Sequence, residues 1–94
     1  MPEQDRSRQD ASAAFGQRLR EVRTEKGLSQ EALGHRTGLH ATAIGRLERG
    51  RREPRLMSIL NLARGLKVPP GELLDTLPGA EDWHDIDPQE GGEA

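Results

Sequence analysis

Gly27, Gly38 and Gly50 divide the middle of the chain into segments too short for anything but small helices. Each stands where a run with apolar residues at three- and four-residue steps stops, which is where a helix end favours a residue free to take positive φ. Before Gly27, Phe15, Leu19 and Val22 recur at that spacing, and Asp10 or Ser12 can cap the segment. Ser29 is suited to cap a second helix, Gln30 to about Thr37, with Leu33 turned inward and Gly38 at its end. A few residues on, a third helix is expected from about Ala41 to Arg49, with Ile44 and Leu47 inward and Gly50 as its stop. Two helices joined this tightly form a corner.

Beyond a basic loop ending at Pro54, the spacing predicts a fourth helix, roughly Arg55 to Leu66, with Leu56, Ile59, Leu60 and Ala63 on its apolar face. Pro69 or Pro70 suits the first turn of a fifth, where a missing N–H is no loss, and Leu73, Leu74 and Leu77 supply its apolar side before Pro78-Gly79 stops it. No stretch alternates apolar and polar residues as a strand does, and no internal repeat is visible. The expected architecture is all-α, a compact five-helix bundle over residues 11–78, with a flexible polar arm at 1–10 and an acidic disordered tail at 79–94.

A chain of 94 residues supports one compact core, and without cysteine no disulfide or thiolate metal site assists it. No apolar run approaches the roughly 20 residues that cross a bilayer, and Met1 to Asp10 lacks the apolar stretch of a signal peptide. The expectation is a cytoplasmic protein without a membrane role.

A net charge of -2 argues against a nucleic-acid partner until it is divided along the chain. All 14 basic residues precede Gly79 together with 10 of the 16 acidic ones, so the body carries +4 and the tail, with Glu81, Asp82, Asp85, Asp87, Glu90 and Glu93, carries -6. Arg46, Arg49, Arg51, Arg52 and Arg55 fall within ten residues, opposed only by Glu48 and Glu53, and create a local positive field. Such clusters are often solvated faces and nothing more; the helical pattern around this one gives it meaning.

From Gln30 to Leu47 the chain reads QEALGHRTGLHATAIGRL, entered through LSQEAL and closed by ERG, and this string resembles the XRE family of phage-repressor and Cro-like helix-turn-helix regulators. The resemblance extends from about Phe15 to Leu77 and implies a lambda-repressor-like DNA-binding domain. Leu33, Leu39, Ile44 and Leu47 would seal the helix pair onto the core, Gly38 would make the turn, and Gly34 occupies a position where the family wants a small residue because the third helix crosses closely. The resemblance further implies a structural ion pair between Arg23 and Glu48.

In that family geometry the second helix lies across the DNA backbone and the third, about 41–49, enters the major groove, where every base pair is distinguishable. Its exposed face would comprise His40, Ala41, Thr42, Gly45, Arg46 and Arg49. Arg46 is the expected base reader, since a guanidinium donates two bonds to guanine, and Ala41 and Thr42 suit thymine methyls. Gln30 resembles the family residue that clamps a phosphate, with Ser29, His40, Arg49, Arg51 and Arg52 as further backbone partners.

Other chemistries find little support. His35 and His40 lie on either side of a helix break with no third ligand, so neither metal nor cofactor is expected, and Ser29 and Ser58 lack a base partner, so neither is a catalytic residue. Leu73, Leu74 and Leu77 either cap the core or form the two-fold contact of a homodimer, the state usual in the family, which would set two recognition helices about 34 Å apart over an inverted-repeat operator. Two functions follow: a transcriptional repressor reading double-stranded DNA, acting in some cases on its own promoter, or an antitoxin-like module that holds a partner protein through the tail around Trp83 and binds DNA secondarily. Trp83 among carboxylates has three further readings, as part of a solubilising tail, as a group packed back on the domain, or within a segment that competes with phosphate for the arginines.

Overall fold

The structure, a computed structural model, describes Glu3 to Pro78, and among these residues it is entirely helical: α1 Glu3–Glu25, α2 Gln30–Thr37, α3 Ala41–Glu48, α4 Leu56–Leu66 and α5 Pro70–Leu74. The all-α five-helix architecture is the one expected. The segment assigned to the tail lies outside the described residues.

The first helix starts earlier than its apolar pattern. Residues before Asp10 were expected to precede the helix as an arm, whereas α1 already begins at Glu3. The stretch lacks apolar periodicity but also lacks glycine and proline between Glu3 and Asp10, so a helix nucleated at Phe15 and Leu19 extends backward at one hydrogen bond per residue. Ser12 therefore does not cap a helix; it is a buried residue within one, 6% exposed.

One core joins all five helices. Phe15, Leu19 and Val22 of α1 meet Leu33 of α2, Ile44 and Leu47 of α3, Leu62, Ala63 and Leu66 of α4 and Leu73 of α5. Each buried leucine or phenylalanine contributes about 1.5–3 kcal/mol relative to exposure, and these are the main stabilising groups of a chain without cross-links.

Helix α4 is rotated from its expected face. Leu56, placed inward by the sequence pattern, is 71% exposed, and Leu62 and Leu66 are buried instead. The run LMSILNLARGL carries two overlapping stripes, 56-59-60-63 and 59-62-63-66, which periodicity alone ranks equally. Gly65 decides between them: a Cβ there would stand 2.7 Å from Thr37 Cγ2, so this glycine is the point where α4 presses on α2. The close approach turns Leu62 and Leu66 inward and leaves Leu56 and Met57 facing solvent.

Leu73 was expected at a dimer contact, and its burial corrects that: it is 0% exposed and belongs to the core. Leu74 and Leu77 are half-buried and pack against the same core.

Candidate nucleic-acid interface

Chemistry at both ends delimits α2. Ser29 is extended, and its Oγ accepts the Ala32 N–H at 3.0 Å, satisfying one of the N–H groups that a helix start leaves without an acceptor. At the other end Gly38 takes φ 77° and its N–H donates to the Gly34 carbonyl at 2.8 Å. The chain then turns through Leu39 and His40 into α3.

The turn itself is tight. A Cβ on Gly34 would lie 2.6 Å from the Leu39 carbonyl oxygen. The smallness needed at this position comes chiefly from the turn backbone; the third helix, expected to impose it, comes no nearer than the Ala41 nitrogen at 3.6 Å.

Gly16, which no sequence pattern singled out, has a larger effect on how α3 is held. A Cβ there would meet the Leu47 and Glu48 carbonyl oxygens at 2.1 and 2.7 Å, so α1 and the end of α3 cross with backbone against backbone. Gly50, at φ 69°, adds a second close approach to α1, since a Cβ there would stand 2.9 Å from the Ala13 Cα.

Beside this crossing is a partly buried polar cluster. Glu48 Oε2 accepts from Arg23 Nε at 2.5 Å and Oε1 accepts from Arg23 Nη2 at 3.0 Å, a two-pronged ion pair with side chains 12% and 4% exposed. Arg23 Nη1 donates to the Leu28 carbonyl at 2.7 Å, and Gln30 Nε2 donates to Glu48 Oε1 at 3.1 Å. The hydrogen bonds to Glu48, with its charge and that of Glu31, hold the Arg23 guanidinium above its ordinary pKa against the opposing effect of burial. One carboxylate thus fixes α1, the start of α2 and the end of α3 together.

Gln30 was expected to face phosphate, yet its side-chain nitrogen is engaged within the fold. Its amide also lies over Gly45, 3.5 Å from where a Cβ would be, and Arg49 Nη1 covers the same spot at 3.3 Å. Gly45, expected on the exposed face, is consequently buried. Both side chains can lie there because glycine leaves room for them.

What α3 presents outward is Thr42 and Arg46, one turn apart, flanked by exposed His40 and Arg49, with Ala41 half-buried at its first turn. Arg51, Arg52 and Arg55 continue the exposed basic surface into the loop before α4. Of the two acids in this region, Glu48 is neutralised inside by Arg23, and Glu53 approaches Arg8 of α1 at 3.6 Å. Among the described residues Arg46, Arg49, Arg51, Arg52 and Arg55 enter no salt bridge, so their charge projects into solvent.

Two ties missed by sequence reasoning brace the helices around this face: Arg36 of α2 donates to the Gly65 carbonyl at 3.1 Å, and Arg18 of α1 to the Glu72 carbonyl at 2.8 Å. Side chain to backbone bonds of this kind leave no periodic signature. Beside the turn, an open hollow of about 430 Å³ is lined by Glu31, His35 and His40 among others. No group of three or more potential metal ligands occurs among the described residues, and none of their helices is long and apolar enough to cross a membrane.

Residues 14–77 match the helix-turn-helix domain family. The control protein C.BamHI of Bacillus amyloliquefaciens is 42% identical over 62 residues, covering 65% of this chain and 76% of that one. The control protein C.SmaI of Serratia marcescens is 35% identical over 74 residues, 79% of this chain and 88% of its own. Among solved structures, the restriction-modification controller protein C.AhdI of Aeromonas hydrophila superposes with a TM-score of 0.65 at 52% identity, over 66% of this chain and 94% of that one. The chain belongs to the helix-turn-helix domain family of XRE-type, DNA-binding transcriptional regulators.

Proposed function

We propose that the protein represses transcription by occupying an inverted-repeat operator as a homodimer, its own promoter included, with α3 of each copy in the major groove. The observation that carries this reading is the outward row of Thr42 and Arg46 on α3, continued by unpaired Arg49, Arg51 and Arg52. Arg46 donates to the O6 and N7 edge of guanine, and Thr42 with Ala41 contacts thymine methyls. Arg49, Arg51, Arg52 and His40 meet phosphates, as do the N–H groups at the start of α2, which Ser29 positions by its cap. Gln30 acts one step removed, holding Glu48 so that α3 keeps its angle to α2.

Control of a restriction-modification system fits the description of C.AhdI as a restriction-modification controller protein, and C.BamHI and C.SmaI are likewise named control proteins. The dimer contact that best suits the exposed surface is the pair Leu56 and Met57 on α4, 71% and 58% exposed.

The test is DNA binding by fluorescence anisotropy, comparing the chain's own upstream region with unrelated duplex for the native protein and Arg46→Ala. Operator reading predicts a preference of about a thousandfold in the native protein, most of it lost in the variant. Equal weak binding to all DNA by both proteins sinks the proposal and favours an antitoxin-like protein partner.

A further inference from the structure

We propose that the acidic segment 79–94 docks back on the domain that precedes it, with Trp83 seated in an apolar groove between α1, α4 and α5, and that its carboxylates there screen the arginine surface. The groove has a volume of about 120 Å³ and is walled by Ala11, Phe15, Pro54, Ile59, Leu74 and Leu77. This volume is less than the roughly 150 Å³ cavity that encloses a benzene molecule, so an indole seated here fills the groove and keeps one edge at its open side.

Three observations select this segment as the occupant. The described chain ends at Pro78, directly after Leu77, which is itself a wall of the groove. Trp83 follows only a few residues later, a distance the chain spans in about 20 Å when extended, and Pro78-Gly79 is a dipeptide that reverses direction readily. Trp83 is the one large aromatic of a segment otherwise rich in carboxylates, Asp82 and Asp85 among them, and this apolar groove lies within reach of its tether.

Charge supports the same placement. Arg8, Ala11, Ser12 and Phe15 share one face of α1, so Arg8 stands at the mouth of the groove, where it approaches Glu53 at 3.6 Å. Arg52 and Arg55 flank Glu53 and Pro54 on the other side. Glu53 is the one acid lining the groove; together with the Ser12 hydroxyl it offers an acceptor for the indole N–H, which seeks a partner when buried. Seated there, Trp83 brings Glu81, Asp82, Asp85 and Asp87 beside Arg51, Arg52 and Arg55, in competition with DNA phosphate. The segment lies beyond the 14–77 family match, so the device is particular to chains that carry such a tail. Its effect on DNA rests on the proposed DNA-reading role; the docking does not.

Trp83 is the only tryptophan, so its fluorescence reads the docking directly in the full chain and without DNA. The expected result is a blue-shifted emission and acrylamide quenching about threefold weaker than in the free 79–94 peptide, as burial of the ring requires, and unchanged on dilution. Ala11→Leu, which fills the groove from a helical position, should return Trp83 to peptide-like quenching while the helical circular dichroism is retained. Deleting 79–94 and Trp83→Ala should each raise affinity for unrelated duplex, by about five- to tenfold at low salt and less at high salt. Peptide-like quenching in the native chain overturns the proposal, and protection that vanishes on dilution overturns docking within one chain in favour of a second copy. A deletion that raises affinity while Trp83→Ala does not would leave charge acting without the anchor, which also overturns it.

Discussion

Glu48, at the last position of α3, accepts both prongs of the Arg23 guanidinium from α1 with its carboxylate almost wholly enclosed. The pair is what makes the angle of α3 a property of the whole fold and not of the turn alone. Buried ion pairs add little net stability over an apolar equivalent, but removing one partner strands the other and costs about 3–5 kcal/mol.

Glu48→Ala should therefore destabilise the domain by about 3 kcal/mol, since it strands Arg23 and frees Gln30, and lower the melting temperature by about 15 °C. Arg23→Lys should lose most of the same stability, because an ammonium cannot serve Glu48 with two parallel bonds and the Leu28 carbonyl with a third in the same geometry. Thermal unfolding followed by circular dichroism checks both; a Lys variant as stable as the native chain would show that charge suffices.

Gly16→Ala should be the most damaging alanine substitution in α1 even though alanine is the better helix former. The propensity gain of about 1 kcal/mol is outweighed where the new Cβ must displace the Leu47 and Glu48 carbonyls, which do not yield without moving α3. Gly71→Ala in α5 meets nothing within 4 Å and should stabilise by about 0.5–1 kcal/mol. Measured unfolding free energies of opposite sign for the two would establish that the crossing, not helix propensity, governs position 16.

These contrasts indicate what was legible beforehand. Helix α2 could be bounded from its residues because Ser29 and Gly38 act within one turn of themselves, and a cap needs no partner from elsewhere. The start of α1 could not, since nothing periodic marks a helix that merely extends backward from its nucleus. The rotation of α4 depended on Gly65 touching Thr37, and the burial of Gly45 on two long side chains folding over it, both long-range contacts invisible to spacing. The outward arginines were identifiable because their neighbours Ile44 and Leu47 had to point the other way.

Arg52→Ala should weaken binding to all duplexes by a similar factor and reduce the slope of log affinity against log salt by about 1, the signature of one lost phosphate contact. Arg46→Ala should instead reduce discrimination by about 1–3 kcal/mol at one base pair. Titrations at several salt concentrations on operator and unrelated DNA separate the two; a sequence-dependent effect of Arg52→Ala would move that residue into the groove.

The dimer contact gives the last contrast. Leu73 is enclosed by its own core, so Leu73→Ala should cost about 2–5 kcal/mol of stability and leave association to whatever folded protein remains. Leu56 and Met57 stand largely exposed on α4, so Leu56→Asn combined with Met57→Lys should change unfolding of the single folded chain, measured at dilution, by no more than about 0.5 kcal/mol. If these two residues are the isologous contact, that variant sediments as a monomer at concentrations where the native chain is dimeric, because the two-fold brings the introduced polar and charged groups of both copies into one interface. Operator binding should then lose its cooperative two-half-site step while contact with a single half-site persists, each half-site being read by an intact α3. A double variant that remains dimeric would move the contact to Leu74 of α5 and Leu77 just beyond it, both half-buried.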